Sequence, residues 1–224
     1  MTRSTSSAEP GSRQLTGYAS AAAASVLWAS LVIFSRFLLA SGADPVSIVA
    51  IRSLLAAAIL AVVLGWKGRL ERIGGLKDLG VFLLFGATVA ANYSAYFAAL
   101  KHSSTVTAVT LLYTYPAVVL LLDALVLKES LAPRDLLALA LTLSGSALVS
   151  GILTQGAFHA TLRGTLFGIA SSVAMAVYAI MSKTISRRYD SWVTVLYGFA
   201  FAACILWAGR GPGTIAAVVS NWTR

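Results

Sequence analysis

The sequence predicts an all-α integral membrane protein: an inverted five-helix repeat bundle with an incomplete second repeat, about seven transmembrane helices in all. Three observations carry that prediction. Of the 224 residues, 58% are hydrophobic and only 11% charged, too little polar surface to cover a soluble globule of this size. Apolar runs near the roughly 20 residues that cross a bilayer core recur at 17–40, 45–66, 79–100, 104–127, 136–153, 166–182 and 192–208. The segment from Gly164 also repeats the segment from Gly17, with opposite charge in the loop that follows.

Residues 1–16 are rich in Ser and Thr with Gly and Pro, the composition of a disordered cytoplasmic tail. The first run, 17–40, is too long for a typical signal-peptide core, although Leu39-Ala40-Ser41-Gly42-Ala43 has the small residues of a cleavage site. The second begins at Pro45 behind Asp44, and the third leads from basic residues up to Lys101. The fourth contains Pro116, whose missing amide hydrogen and ring should kink the helix, either opening a site or only easing packing. Ser130 and Pro133 prepare the fifth, and Ser144-Gly145-Ser146 smooths one of its faces. Gly164 and Gly168 give the sixth a small-xxx-small face for close packing. Cys204, the single cysteine, lies in the last run, so no disulfide, thiolate cluster or redox pair can form within one chain.

The repeat divides the chain into domains. At a constant offset of 147, Gly17, Ser25, Val26, Ala29, Ile33 and Ser35 fall on Gly164, Ser172, Val173, Ala176, Ile180 and Ser182, and Arg36 meets Lys183. The loop 41–45 has no basic residue, whereas its counterpart holds Lys183, Arg187 and Arg188. One helix further on the signs swap: Lys67, Arg69, Arg72 and Lys77 stand against only Arg210 and Arg224. Lys and Arg stay on the cytoplasmic side, so equivalent loops of opposite charge lie on opposite faces. Residues 17–153 thus form the first five-helix repeat, 164–208 the first two helices of an inverted second, and 209–224 an outer segment where the chain ends. With a cytoplasmic N-terminus, only Lys101, Arg163, Arg210 and Arg224 remain outside. The formal charge of +9 is scattered over short loops and reflects orientation in a lipid bilayer, with no patch for nucleic acid.

A family resemblance follows from particular residues. Trp28-Ala29-Ser30 with Arg36, Pro45 with Arg52, Asn92-Tyr93-Ser94-Ala95-Tyr96-Phe97-Ala98-Ala99-Leu100, Ser104 with Ala108, and Tyr113-Thr114-Tyr115-Pro116 running into Leu127-Lys128-Glu129-Ser130-Leu131 resemble, in order and spacing, the EamA-type members of the drug/metabolite transporter superfamily. The resemblance covers about residues 15–208. It implies a multi-pass protein of a bacterial inner (plasma) membrane, built in that family from ten helices in two inverted halves that export amino acids, metabolites or drugs. Glu129 matches a Glu that recurs in the family motif and reads as a helix-end organiser. This chain departs from the pattern by stopping after helix seven, which leaves a homodimer or a partner chain to complete the second half if the truncation is real.

Polar residues at helical spacing locate the expected substrate path, because in hydrocarbon each must meet protein or a water-filled cavity. Ser103, Thr107, Thr110 and Thr114 follow one face of the fourth span; the alternative is that they bond back to their own helix. Asn92 and Tyr96 stand one turn apart on the third, with Tyr93 beside them. The repeat sets the Trp28 face of the first span against the Tyr178 face of the sixth. Trp28, Tyr93, Tyr96, Tyr113 and Tyr178 could then line a weakly polar aromatic cavity, or serve as packing and interface anchors. Arg36 and Arg52 lie towards the outer ends of their spans, where they snorkel, pair with Asp44, or contact an anion at the outer mouth. Asp123 is the one acid within a span, either a proton-coupling carboxylate or a partner for Lys128.

The resulting expectation is a secondary transporter, an exporter of small metabolites or amino acids by alternating access, with a small-molecule substrate and no metal or other cofactor. The alternatives are a multidrug or organic-cation exporter and, from another class, a non-transporting membrane protein or fragment that needs a partner chain. An enzyme is disfavoured because His102 and His159 both fall in outer loops and no nucleophile elbow accompanies them. A seven-helix photoreceptor needs a Lys in its last helix, and 192–208 has none. The small four-helix exporters rely on a Glu in the first helix, where this chain has no acid.

Overall fold

Short polar side chains mark where the apolar runs become helices. A computed structural model describes residues 10–125, 132–149 and 161–209. Its helices are α1 (Pro10–Ala40), α2 (Pro45–Trp66), α3 (Leu76–His102), α4 (Thr105–Leu112), α5 (Tyr115–Leu125), α6 (Pro133–Val149), α7 (Leu162–Ile185) and α8 (Ser191–Ala208). Asp44 caps α2 by accepting the Ser47 amide at 3.0 Å, Ser104 caps α4 through the Thr107 amide at 3.1 Å, Thr161 caps α7 through the Gly164 amide at 3.1 Å, and Asp190 caps α8 through the Trp192 amide at 2.8 Å. Each cap satisfies an amide that the helix cannot, worth about 1 kcal/mol. Among the described residues six helical stretches are long and apolar enough to cross a membrane: Gly17–Ala40, Pro45–Trp66, Leu76–His102, Thr105–Leu122, Leu162–Ile185 and Ser191–Ala208. The molecule is therefore an all-α, multi-pass membrane bundle.

Three details differ from the sequence expectation. Helix α1 begins at Pro10, inside the segment assigned to a disordered tail, because Pro is suited to a first helical turn and no breaker follows before the apolar run. Helix α6 is 17 residues long and is not among the membrane-length helices; the rest of its expected run, 150–153, lies outside the described residues. The fourth span is two helices rather than one kinked helix, broken at Tyr113–Thr114.

The chain divides into two compact units, Met1–Gly42 and Ala43–Arg224. In the first, Ser25, Ser30 and Ser35 of α1 donate to the carbonyls of Ala21, Val26 and Leu31, hiding their hydroxyls along the helix itself. In the second, α3 lies between α7 and α8, α8 also packs on α2, and α7 takes α4 and α5 along its length. Phe82, Phe85, Phe97 and Leu100 of α3 are fully buried at its centre. Leu54, Leu55, Ile59 and Val62 of α2 face outward, which costs nothing where the solvent is lipid.

Association of helices in lipid relies on close fit rather than on water exclusion, so small residues set the contacts. A Cβ placed on Gly86 of α3 would stand 2.4 Å from the Phe201 Cβ and 2.9 Å from the Ala202 amide nitrogen of α8. The contact is reciprocal, since a Cβ on Gly198 of α8 would meet Phe85 at 2.7 Å. On α7, a Cβ at Gly168 would meet Leu111 at 2.6 Å and one at Gly164 would meet the Ser103 Cβ at 2.7 Å. The smooth face expected of Gly164 and Gly168 is thus occupied by α4 and by the end of α3.

Candidate functional site

The break in the fourth span positions the site. Pro116 has no amide hydrogen for the Leu112 carbonyl, and the Ala117 amide bonds to the Thr114 carbonyl at 3.0 Å rather than to Tyr113, so two carbonyls leave the helical pattern. The interruption falls about ten residues, or roughly 15 Å, from the Ser104 end of the span, near mid-depth of a bilayer core.

Beside the break runs a buried polar seam between α3, α7 and Thr114. Asn92, which is buried, donates from Nδ2 to the Ser171 carbonyl at 3.1 Å. Thr114 donates to the Leu111 carbonyl at 2.7 Å and its hydroxyl lies 2.9 Å from that of Ser172; with the Thr114 proton committed, Ser172 is the donor. Ser171 Oγ is buried and makes no hydrogen bond among the described residues. Leaving a hydroxyl unpaired in an apolar interior costs about 1–3 kcal/mol.

The hydroxyls of the fourth span do not form one ladder. Ser103 closes α3 and bonds back to the Ala99 carbonyl at 2.6 Å, Thr107 is fully buried with its hydroxyl 2.8 Å from that of Ser104, Thr110 is half-buried on α4, and Thr114 stands in the break. The aromatic side chains are mostly engaged with one another. Tyr178 stacks on Phe85 with centroids 5.1 Å apart, Tyr96 meets Phe97 edge-on at 6.0 Å, and Tyr93 stacks on Phe199 at 6.0 Å. The Arg52 guanidinium lies over the other part of this group, 4.2 Å from the Tyr93 ring centroid. Tyr113 is 41% exposed. Trp28 and Arg36 belong to the separate first unit. Asp44 is occupied as the α2 cap, accepting from both the amide and the hydroxyl of Ser47. The Asp123 side chain, Lys128 and Glu129 lie outside the described residues. Among the described residues no three His, Cys, Asp or Glu side chains gather as metal ligands.

Sequence reasoning missed the α7 partners. Ser172 entered only through the repeat; two adjacent hydroxyls, Ser171 and Ser172, at mid-helix in an apolar run were the available signal. It also missed a cluster at the end of the unit where the basic loops lie. There Arg69 forms an ion pair with Asp190, Tyr189 donates to Asp78 at 2.8 Å and accepts from the Gly74 amide at 3.0 Å, and Tyr197 donates to the Glu71 carbonyl at 2.8 Å.

Membrane-length helices, one of them broken against a buried polar seam, are the build of a multi-pass membrane protein. The family model described as "EamA-like transporter family" matches residues 15–151. The chain belongs to that family. Two proteins of Archaeoglobus fulgidus, each described as an uncharacterized transporter, are 29% identical to it, over 81% of this chain and 62% of one relative and over 85% and 64% for the other. The chain therefore spans a little under two thirds of the length of these relatives. One solved structure, titled only as the crystal structure of a protein, matches with a TM-score of 0.57 at 20% identity, over 77% of this chain and 61% of its own; that likeness concerns the fold alone.

Proposed function

We propose that the chain works in a secondary transporter that exports small metabolites or amino acids by alternating access between inverted halves. The observation that carries the reading is the mid-depth break at Tyr113–Thr114 facing the Asn92, Ser171 and Ser172 seam. Released carbonyls, hydroxyls and an amide at that depth offer neutral hydrogen-bonding groups to a polar solute where lipid offers none. Tyr93, Tyr96, Thr107, Thr110, Tyr113 and Tyr178 surround the path in this reading. Asp123 is its candidate coupling carboxylate.

The inverted repeat, 17–153 and the start of a second at 164–208, draws support from where the loops meet. The basic loop after α2 and the basic turn after α7 lie at one end of the second unit, joined by Arg69 and Asp190. Thr161, before α7, donates to the His102 carbonyl at the other end. That arrangement suits a reading in which equivalent loops of opposite charge lie on opposite faces, and in that reading the positive-inside rule would put the basic loops and the N-terminus in the cytoplasm of a bacterial inner membrane. The Arg52 charge beside Tyr93 weighs for anionic or zwitterionic solutes and against organic cations, which it would repel.

The test is counterflow of a labelled amino acid panel in proteoliposomes. We expect at least one solute to be carried, and the combined variant Asn92→Ala, Tyr96→Phe, Thr110→Ala to lose about tenfold or more of that flux. Undiminished flux in the triple variant would remove the site, and absence of any flux would remove the reading.

A further inference from the structure

The end of the second unit that carries the basic loops is built in layers. Outermost, α2 ends in a turn where Gly68 takes φ +62° and the Arg69 amide bonds to the Leu64 carbonyl at 2.9 Å, which brings Arg69 back to Asp190. The Asp190 carboxylate does two jobs: one oxygen caps α8 and the other meets Arg69. Tyr189 bridges Gly74 and Asp78, and Arg188 lies 4.0 Å from the same carboxylate. Directly beneath is an apolar cluster of Phe82, Phe85 and Ile185, all buried. Tyr189 and Tyr197 each lie 5.1 Å from Phe82, centroid to centroid, and Tyr178 stacks on Phe85. Farther along α3 comes Asn92 and the polar seam.

We propose that the Arg69–Asp190 and Tyr189–Asp78 pairs form a releasable latch over this aromatic plug, and that its opening admits solvent from that end to the seam. The inference rests on the transporter reading. The Arg69–Asp190, Arg188–Asp78, Tyr189–Asp78, Tyr189–Gly74 and Tyr197–Glu71 contacts join the segment 69–78 to the segment 188–197, and the arginines of its ion pairs are solvent-exposed, with Arg69 at 52%; exposed pairs are individually weak and rearrange readily. The plug beneath is apolar and holds α3 to α7 and α8 by side-chain contact. Asp190 caps α8 as Asp44 caps α2.

The experiment reads exposure behind the latch. A Cys204→Ala chain carrying Ile185→Cys is placed in nanodiscs, open to reagent on both faces, and its rate of maleimide labelling is measured. Asp190→Asn keeps a helix-capping side chain while removing the charge, and Tyr189→Phe keeps the ring in the plug while removing its hydrogen bonds. Together they should raise the labelling rate about tenfold, whereas Arg69→Lys, which keeps the ion pair, should leave it near the parent value. A second chain with Ala99→Cys, fully buried in the other half of α3, should stay protected throughout. Unchanged labelling at position 185, or an equal rise at 185 and 99, would overturn the latch. Counterflow on the same variants separates the two ideas: labelling that follows this pattern with no solute carried removes the transport reading and leaves the latch standing.

Discussion

The two ends of the second unit are closed by different means. At the end bearing the basic loops, side chains do the joining: Arg69 to Asp190, Tyr189 to Asp78, Tyr197 to the Glu71 carbonyl. At the other end Thr161 donates to the His102 carbonyl and the helices fit closely, with Gly164 so near α3 that a Cβ would lie 2.7 Å from the Ser103 Cβ and 3.1 Å from the His102 carbonyl oxygen. Side chains can separate by changing rotamer, at a cost of about 1 kcal/mol or less for each exposed pair. Close-packed backbone can part only if whole helices move. The comparison teaches that motion at the first end needs little local energy, while the second holds its geometry.

Substitutions should widen that contrast in a definite order. The largest effect belongs to the crossing that both ends depend on: Gly86→Ala drives a methyl into Phe201 and Ala202 and should destabilise by about 1–3 kcal/mol. Gly80→Ala, on the same helix with nothing within 4 Å, should be neutral or gain up to about 1 kcal/mol in helix propensity. Thermal unfolding in detergent checks both, and equal effects would refute the packing account. Next, Gly164→Ala should cost more than removal of the Arg69 charge by Arg69→Gln, because the first forces backbone apart and the second loses one exposed pair. Asn92→Leu should cost about 0.6–1.7 kcal/mol, the range for a hydrogen bond between helices in a membrane, and Ser171→Ala should be neutral or stabilising because its hydroxyl has no bond to lose.

The smallest effect is a pH dependence. On Tyr189 the Gly74 amide lowers the phenol pKa, but the bond to Asp78, burial and the Asp78 charge together outweigh it and the opposing Arg188, so the net shift is upward. The folded state then holds this proton more tightly than the unfolded chain. Its contribution is complete below the ordinary phenol value of about 10 and is lost as pH rises through the raised value. Thermal stability should therefore fall more steeply above that pH in the parent chain than in Tyr189→Phe.

Much of the fold was legible because its signals are local. Asp44-Pro45 and the Gly68 turn bound α2 at the limits the apolar run indicated, and the spacing of Gly164 and Gly168 announced a close-packed face. The broken fourth span was only half legible: Pro116 foretold a disturbance, but the disturbance falls at Tyr113–Thr114 because proline acts on the turn before it. Gly86 and Gly198 carry no mutual spacing, and only the packing of α3 on α8 brings them together. The seam was partly hidden for a related reason. A serine in a membrane helix ordinarily bonds to its own backbone, as Ser25, Ser30 and Ser35 do, and which hydroxyl crosses to a neighbour is decided by the neighbour. The loop cluster was illegible because counting Lys and Arg places a loop on one face of the membrane without saying which acid it will meet.

The central claim is that the segment from Gly164 begins a second repeat inserted upside down relative to the first. Single cysteines at Ser41, Lys67, Lys101 and Arg187 in a Cys204→Ala chain, treated with an impermeant maleimide in sealed vesicles of known orientation, test it most directly. The account predicts that positions 67 and 187 label only from the cytoplasmic face and positions 41 and 101 only from the opposite face. Labelling of 67 and 187 from opposite faces would contradict it.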